Sequence, residues 1–212
     1  MKLHDERRDY ERAQLTRESL HDDPMQQFSV WFAEAKQTAA LPDPTAFTLA
    51  TCGNDKRPHQ RIVLLKDIDD GFVFYTNYAS QKGQNIEQNA WVSAHFAWLT
   101  LEQQVRIEGR AEKLAREQSE AYFHSRPRAS QLGALASSQS TPIAGRDELE
   151  ARYLELTKRY EGKTIPMPET WGGYRIKPEV FEFWQGGKYR LHDRFVYRLQ
   201  NDASWLIERL QP

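Results

Sequence analysis

Three side chains that could bind an anion stand at alternate positions near the end of the chain, in the segment YRLHDRF. Arg190, His192 and Arg194 share one parity, so in a β-strand they would project side by side from one face. Like charges held this close repel unless an anion lies over them, which makes the face a candidate ligand site. The alternative is the solvated face of an edge strand, where charges oppose aggregation. Taken alone, this segment favours the solvated face.

A second polar group recurs at steps of four in the segment YFHSRPRAS. Tyr122, Arg126 and Ser130 would share one face of a helix, although Pro127 interrupts a continuous one. A phenol, a guanidinium and a hydroxyl can bind a phosphate through one charged fork and two neutral donors. The alternative is a helix C-terminus with a cation beside its dipole, and the motif alone slightly favours that structural role.

Two further stretches carry cations where an anion could bind. Arg61 and Lys66 flank four apolar residues, which predicts a buried strand whose ends reach polar ligands. Ordinary strand-end charges explain this pattern equally well. Ser80 and Lys82 indicate a helix start, where free amide groups bind phosphate and the lysine adds charge. A plain serine cap is the commoner explanation for such a serine.

Other kinds of chemistry are not indicated. The six histidines have no metal-ligand spacing near a carboxylate, so no metal is expected. The single cysteine, Cys52, excludes an internal disulfide and indicates a reduced, cytoplasmic setting. The absence of G-x-G-x-x-G, G-x-x-x-x-G-K-[ST] and G-x-S-x-G motifs argues against a Rossmann or P-loop site and against a serine nucleophile.

The elements that must position these residues are predicted to be antiparallel strands with interspersed helices. Helices are expected at 24–40, 80–89, 116–125, 129–137 and 146–162. Strands are expected at 46–52, 61–67, 72–77, 91–100 and 104–114, and again through the last third of the chain. This order predicts an α+β fold built on a closed or nearly closed antiparallel barrel.

Charge and hydropathy limit the domains and the partners. Residues 1–23 are mostly charged and are interpreted as a mobile N-terminal arm, leaving 24–212 as one domain. Lys and Arg number 29 against 30 Asp and Glu, which gives no global electrostatic case for nucleic acid. No apolar run approaches the length of a membrane span, so no membrane partner is expected. An anion site must therefore be local.

Taken together, the segments RIVLLK, FYTN, FHSRPRASQLGA, FWQGG and RLHDRF resemble the pyridoxine (pyridoxamine) 5′-phosphate oxidase family over essentially the whole chain. The resemblance implies an FMN-binding split β-barrel, antiparallel with peripheral helices, in a homodimer with FMN at the subunit interface. It implies that the small-molecule substrate is a phosphorylated B6 vitamer, pyridoxine or pyridoxamine 5′-phosphate, oxidised to pyridoxal 5′-phosphate. Hydride would pass to FMN, with oxygen as the final acceptor giving hydrogen peroxide, and ammonia leaving from the amine.

The resemblance also assigns residues to two anion sites. FMN would be bound by Arg61, Ile62, Val63, Leu64, Leu65, Lys66, Tyr75, Thr76, Gln81, Lys82, Gln104, Gln139, Ser140, Trp184 and Arg194. Arg190 and His192 would be the catalytic pair that covers the substrate ring. The substrate would be bound by these two and by Arg7, Arg8, Asp9, Tyr10, Lys66, Tyr122, Arg126, Ser130 and Leu191.

One residue departs from the family pattern. Gln81 stands where the family commonly carries an arginine. Hydrogen bonds to charged groups contribute about 1.5–3 kcal/mol, so the lost cation should weaken binding of the FMN phosphate.

Two alternatives stay open. Another FMN-binding split-barrel protein, such as a flavin reductase, would keep the flavin residues without the set formed by Tyr122, Arg126 and Ser130. The presence of that set weighs against it. A flavin or pyridoxal phosphate carrier that binds without turnover is not distinguished by the sequence, whereas a nucleic-acid-binding barrel is disfavoured by the balanced charge.

Overall fold

A computed structural model of the protein describes His4 and residues 9–212, so the expectations for Arg7 and Arg8 lie outside the described residues. Its helices are α1 (Pro24–Gln37), α2 (Gln81–Gln88), α3 (Arg116–Ser125), α4 (Arg128–Ala136) and α5 (Arg146–Arg159). Its strands are β1 (Ala46–Cys52), β2 (Pro58–Leu64), β3 (Asp67–Ile68), β4 (Phe72–Asn77), β5 (Trp91–Trp98), β6 (Gln103–Lys113), β7 (Trp171–Gln185), β8 (Asp193–Leu199) and β9 (Trp205–Leu210).

The described strands form a nine-stranded sheet in the order β2-β1-β5-β6-β7-β4-β3, with β8 paired to β7 and β9 to β8. The 15-residue strand β7 pairs antiparallel with β4 along its first part and with β8 along its last part. The predicted antiparallel α+β fold is therefore confirmed. Among the described residues, no helix is both long enough and apolar enough to cross a membrane.

The residues pack as two compact units. The first contains the described part of Met1–Leu49 together with Ser93–Gly109 and Pro178–Pro212, and the second contains Ala50–Val92 and Arg110–Lys177. Each unit has its own core rich in aromatic residues.

The core of the first unit forms around α1. The helix begins as predicted, because the Asp23 carboxylate accepts a hydrogen bond from the Met25 amide at 2.8 Å and Pro24 occupies the first turn. On its buried face, the ring centre of Phe28 lies 5.0 Å from that of Phe96. Trp31 packs edge-on against Phe183 of β7. Aromatic side chains bury large apolar areas, so these contacts stabilise the core of the unit.

The residues that precede α1 also pack on the first unit. Leu15 and Leu20 are buried, and the Tyr197 hydroxyl donates to the His21 carbonyl at 2.7 Å. The interpretation of 1–23 as a mobile arm stays a prediction.

The second unit has a core cluster of Phe123, Leu132, Ile165, Met167 and Trp171. At the start of α2, the Ser80 hydroxyl accepts from the Gly83 amide, as the predicted cap requires. A Cβ atom at Gly83 would lie 2.1 Å from the Tyr78 carbonyl oxygen, so only glycine allows this close approach. The first turn of α2 is thereby held tightly against the end of β4.

The prediction of a buried strand at 61–67 is wrong. The strand is β2, it ends at Leu64, and it lies at the end of the sheet order with one strand neighbour in the described chain. Ile62 is 70% exposed. An apolar run indicates that a strand carries apolar side chains, but it does not specify where in the sheet the strand lies.

The prediction that Arg190, His192 and Arg194 share a strand face is also wrong. Residues 188–190 form a short helical turn with positive φ at Tyr189 and Arg190, and β8 begins only at Asp193. The ladder closes with Gln185 opposite Asp193, which leaves 186–192 as a loop. The connection after β7 is therefore longer than a tight turn at Gly186-Gly187 would be, and the Gly187 amide stabilises it by donating to His192 Nδ1 at 3.1 Å.

Candidate functional site

A cavity of about 810 Å³ lies in the second unit and collects most of the residues predicted to bind phosphates. It is lined by residues of β2, β4, β7, α2, α3 and α4 and of the loops that follow β2, α3 and α4. The predicted residues that line it are Arg61, Ile62, Val63, Leu64, Lys66, Tyr75, Thr76, Gln81, Lys82, Tyr122, Arg126, Ser130, Gln139 and Ser140. Sequence reasoning missed Gln60, Asn77, Gly133, Ala134, Ser137 and Trp171.

Lys82 is the buried cation of this cavity. Its Nζ donates to Thr76 Oγ1 at 3.0 Å, to Ser80 Oγ at 3.2 Å and to Gln139 Oε1 at 2.7 Å. No carboxylate among residues 9–212 pairs with it. Burial and the nearby charge of Arg61 lower the pKa of Lys82 to about 8. A buried ammonium group held only by neutral oxygen atoms, with a second cation near it, is a site suited to an anion.

The surroundings of Lys82 add to this electropositive character. Arg61 donates from Nη1 to Thr51 Oγ1 at 2.8 Å, and burial lowers the pKa of its guanidinium. Lys82 itself lies in the first turn of α2, where backbone amide groups and the helix dipole favour negative charge. Gln81, beside it, is exposed and lines the cavity.

Arg126 is a second cation of the cavity, and it has no anionic partner among residues 9–212. Its Nη1 atom is buried and has no hydrogen-bond partner among the described residues. The guanidinium carbon lies 4.8 Å from the centre of the Trp171 ring, and burial lowers the pKa of Arg126. A buried donor left without an acceptor costs stability, so this atom is positioned for a ligand oxygen.

Aromatic rings hold Arg126 in place. Tyr75 and Tyr122 stack with ring centres 3.9 Å apart, and Tyr75 also stacks on Trp171 at 5.4 Å. The chain turns between α3 and α4 at Pro127, as predicted, yet Tyr122, Arg126 and Ser130 still reach one cavity. Trp171 was missed because a tryptophan at a strand end is ordinarily a core residue, and no local pattern indicates that it lies under a cation.

The remaining predicted residues lie elsewhere. Leu65 is buried but does not line the cavity. The first unit contains Asp9, Tyr10, Gln104, Trp184, Arg190, Leu191, His192 and Arg194. The predicted residues are therefore divided between the two units.

Tyr10, Trp184 and His192 form an aromatic cluster in the first unit. The rings of Trp184 and His192 lie 4.7 Å apart, and Tyr10 meets them edge-on at 5.7 Å and 5.1 Å. Burial and the charge of Arg190 lower the pKa of His192, and Asp193 opposes this shift. The imidazole is therefore biased toward its neutral form, with Nδ1 accepting from a backbone amide.

Two of the residues predicted to bind flavin are engaged by other protein groups. Arg194 donates to the Glu182 carboxylate at 2.8 Å and to the Gln211 carbonyl at 2.9 Å. The Gln104 amide oxygen lies 3.0 Å from His95 Nε2. The flavin role of both residues stays a prediction.

Two family models match the chain. The model described as "Pyridoxamine 5'-phosphate oxidase" matches residues 33–160. The model described as "Pyridoxine 5'-phosphate oxidase C-terminal dimerisation region" matches residues 171–212.

Curated relatives match over their full length. A "Pyridoxine/pyridoxamine 5'-phosphate oxidase" from Vibrio vulnificus (strain YJ016) is 51% identical, with 100% of both chains covered. A relative with the same name from Idiomarina loihiensis is also 51% identical over 100% of both chains.

Solved structures confirm the predicted split-barrel fold class. The structure of PhzG from Burkholderia lata 383, in complex with tetrahydrophenazine-1-carboxylic acid, has a TM-score of 0.86 and 31% identity, covering 92% of this chain and 95% of that one. An FMN-binding protein from Nostoc punctiforme has a TM-score of 0.72 at 15% identity, covering 91% and 100%, and shows the fold alone. On the family models and the full-length relatives, the chain belongs to the pyridoxamine 5′-phosphate oxidase family.

Proposed function

We propose that the protein oxidises pyridoxine or pyridoxamine 5′-phosphate to pyridoxal 5′-phosphate with FMN as cofactor and oxygen as final acceptor. The observation that carries the proposal is that one cavity holds two cations, the buried Lys82 and the half-buried Arg126 with its buried Nη1 atom, and that neither has an anionic partner among residues 9–212. Cofactor and substrate each carry a phosphate dianion, and each dianion needs cationic or multiple neutral donors. The names of the full-length relatives support the same reaction.

The donors around Lys82 fit the FMN phosphate. The lysine, the first turn of α2 and the side chains of Thr76 and Gln139 would hold it, and Arg61 adds positive charge. When bound, FMN supplies the redox chemistry by accepting a hydride from the substrate. The cavity volume of about 810 Å³ is in the range of ligand sites.

The group around Arg126 fits the substrate phosphate. The free Nη1 donor would bind it together with the Tyr122 and Ser130 hydroxyl groups, and Lys66 would add a flexible charge. Binding both phosphates at one cavity restricts the relative positions of the two rings. Such positioning can supply a large share of a rate enhancement.

Residues of the first unit are assigned to the two rings. Arg190 and His192 would contact the reacting ring, with Asp9, Tyr10 and Leu191 nearby, and Gln104, Trp184 and Arg194 would contact the flavin. Support comes from the family motifs that carry these residues. Because the pKa of His192 is lowered, its imidazole is favoured in the neutral form. A neutral imidazole beside the Arg190 cation can serve as a hydrogen-bond partner for the ring.

A homodimer is part of the proposal. Its support is the match of residues 171–212 to a C-terminal dimerisation region and the exposed apolar side chains of Ile62 and Leu64 on the end strand β2. Sedimentation should find a flavin-loaded dimer, and a flavin-loaded monomer would contradict this part.

Turnover by the purified protein tests the function. Protein reconstituted with FMN should consume oxygen and release hydrogen peroxide with pyridoxine 5′-phosphate, and unphosphorylated pyridoxine is the matched control. We expect the control to react far more poorly, since it leaves Arg126 without an anion. Flavin reduction by NADPH without vitamer oxidation would indicate a flavin reductase, and FMN binding without turnover would indicate a carrier.

We expect Gln81→Arg to tighten FMN binding without changing the reaction. The substituted side chain is exposed at the cavity beside Lys82, so an added guanidinium should favour the phosphate dianion. Titration of the unliganded protein with FMN should give a Kd lower by about tenfold. This change corresponds to the lower end of the free energy that a charged hydrogen bond contributes. An unchanged Kd would mean that the side chain points away from the phosphate.

The lowered pKa of Lys82 predicts that FMN affinity and the free energy of unfolding change in opposite directions as pH rises. In the unliganded protein the ammonium loses its proton as pH rises through about 8, so FMN affinity should fall above that pH. Between about 8 and the ordinary value of 10.5 the unfolded chain binds more protons at this group than the folded chain does. The free energy of unfolding should therefore rise with pH over the same range. FMN titrations and chemical denaturation at pH 7 to 10 check both signs, and Lys82→Met should abolish both.

A further inference from the structure

Two buried carboxylates in the first unit hold the segment that carries Tyr10. Glu102 accepts through Oε2 from the backbone amides of Glu11 at 3.0 Å and Arg12 at 3.1 Å. Asp193 accepts through Oδ2 from the Leu15 amide at 2.9 Å. We call residues 10–15 the strap. Hydrogen bonds from amide groups to ionised carboxylates are among the stronger ones in proteins, so these bonds fix the path of the strap.

The backbone of Glu102 indicates that its side chain has a role. The residue has φ 56 and ψ 33, in the left-handed region that glycine adopts at lower cost. Its carbonyl oxygen accepts from the Gly186 amide at 2.8 Å and from Gln185 Nε2 at 3.2 Å. One residue therefore binds the strap through its side chain and the end of β7 through its backbone.

These contacts place the Tyr10 ring. The ring lies edge-on to Trp184 and His192. A Cβ atom at residue 186 would come within 2.4 Å of Tyr10 Cδ1, so Gly186 is needed for this approach. The loop that carries His192 and the strap that carries Tyr10 meet through residues tied to Glu102.

We propose that Glu102 is a positioning residue that acts through Tyr10, because its carboxylate fixes the strap so that the Tyr10 ring lies against Trp184 and His192. This inference rests on the proposed function, in which Tyr10 and His192 contact the substrate. We test Glu102 and not Asp193, because Asp193 directly follows His192 and is also paired with Arg209. A substitution of Asp193 would therefore change more than the strap.

Backbone amide hydrogen exchange in the strap tests the anchoring without substrate or flavin. Glu102→Ala should speed exchange at residues 11 and 12 by at least about tenfold, because each amide loses a charged acceptor. Glu102→Gln should give a smaller increase, since its amide oxygen still accepts but carries no charge. Unchanged exchange in Glu102→Ala would overturn the proposal, and Glu102→Gln gives the same test if the alanine variant does not fold.

Glu34→Ala is the matched control for exchange. Glu34 is half-buried, pairs with the Arg12 side chain at 3.2 Å and accepts from Gln103 Nε2 at 3.3 Å, but it does not bond the strap backbone. This variant should leave exchange at residues 11 and 12 as in the unmodified protein. An increase as large as that of Glu102→Ala would overturn the proposal, because loss of any nearby carboxylate would then loosen the strap.

Steady-state kinetics test the action through Tyr10. Glu102→Ala should raise KM for the phosphorylated vitamer by about tenfold, with FMN affinity unchanged. In a Tyr10→Ala background the same substitution should add nothing further, as expected when one residue acts only through another. An additive effect, a parallel loss of flavin, or faster strap exchange with unchanged KM would overturn the proposal. A protein that oxidises no vitamer would contradict the proposed function, while the exchange result would still decide whether Glu102 holds the strap.

Discussion

Replacing Lys82 with methionine should weaken FMN binding by roughly a hundredfold. The methionine keeps much of the length of the side chain but removes the ammonium, which leaves a phosphate dianion beside Thr76, Ser80 and Gln139 with no buried cation between them. Charged hydrogen bonds are worth about 1.5–3 kcal/mol, and the larger value corresponds to this change in Kd. Fluorescence titration of the unliganded variant with FMN measures the effect.

Lys113→Met provides the control for Lys82. Lys113 is exposed and pairs with Glu87 at 2.7 Å, outside the residues that line the cavity. Surface ion pairs contribute little, so its loss should leave both FMN affinity and stability nearly unchanged. If Lys82→Met binds FMN as tightly as the control does, the flavin phosphate does not bind at the start of α2.

Replacing Arg126 with alanine should raise KM for the phosphorylated substrate by about tenfold to a hundredfold while the protein retains FMN. The variant removes the buried Nη1 donor that has no partner among the described residues, together with the guanidinium over Trp171. That donor is assigned to the substrate phosphate alone, and a charge-assisted contact of this kind is worth about 1.5–3 kcal/mol. Kinetics and flavin content measured on one preparation separate the two effects.

Arg128→Ala is the matched control for Arg126. Arg128 begins α4 and donates to the Lys163 carbonyl at 3.0 Å and to the Tyr160 carbonyl, so it serves structure instead of the cavity. It should lose some thermal stability and keep its KM. Equal losses of substrate and flavin affinity in Arg126→Ala would show that Arg126 belongs to the flavin site.

Local chemistry made much of the fold predictable. Asp23 and Ser80 cap helices as their types require, and Pro127 separates α3 from α4. The phosphate-binding types of Lys82 and Arg126 were recognisable, but their burial was not. Burial depends on neighbours distant in the sequence, such as Gln139 for the lysine and Trp171 for the arginine.

The failures of prediction share a physical cause. The position of β2 at the end of the sheet depends on strand order, which periodicity does not encode. The pair Gly186-Gly187 permits a reversal of the chain but does not fix its length, so the sequence does not distinguish the loop 186–192 from a tight turn. The bonds from Glu102 and Asp193 to the strap join residues 90 or more positions apart, so no local pattern indicated them.

Anaerobic mixing of the FMN-loaded protein with pyridoxine 5′-phosphate tests most directly whether cofactor and substrate react in this protein. We expect the yellow absorption of the flavin to bleach as pyridoxal 5′-phosphate forms, and to return with release of hydrogen peroxide when oxygen is admitted. The unphosphorylated vitamer should bleach it far more slowly, because Arg126 then has no anion to bind. A flavin that stays oxidised under saturating pyridoxine 5′-phosphate and pyridoxamine 5′-phosphate would contradict the proposed oxidase function.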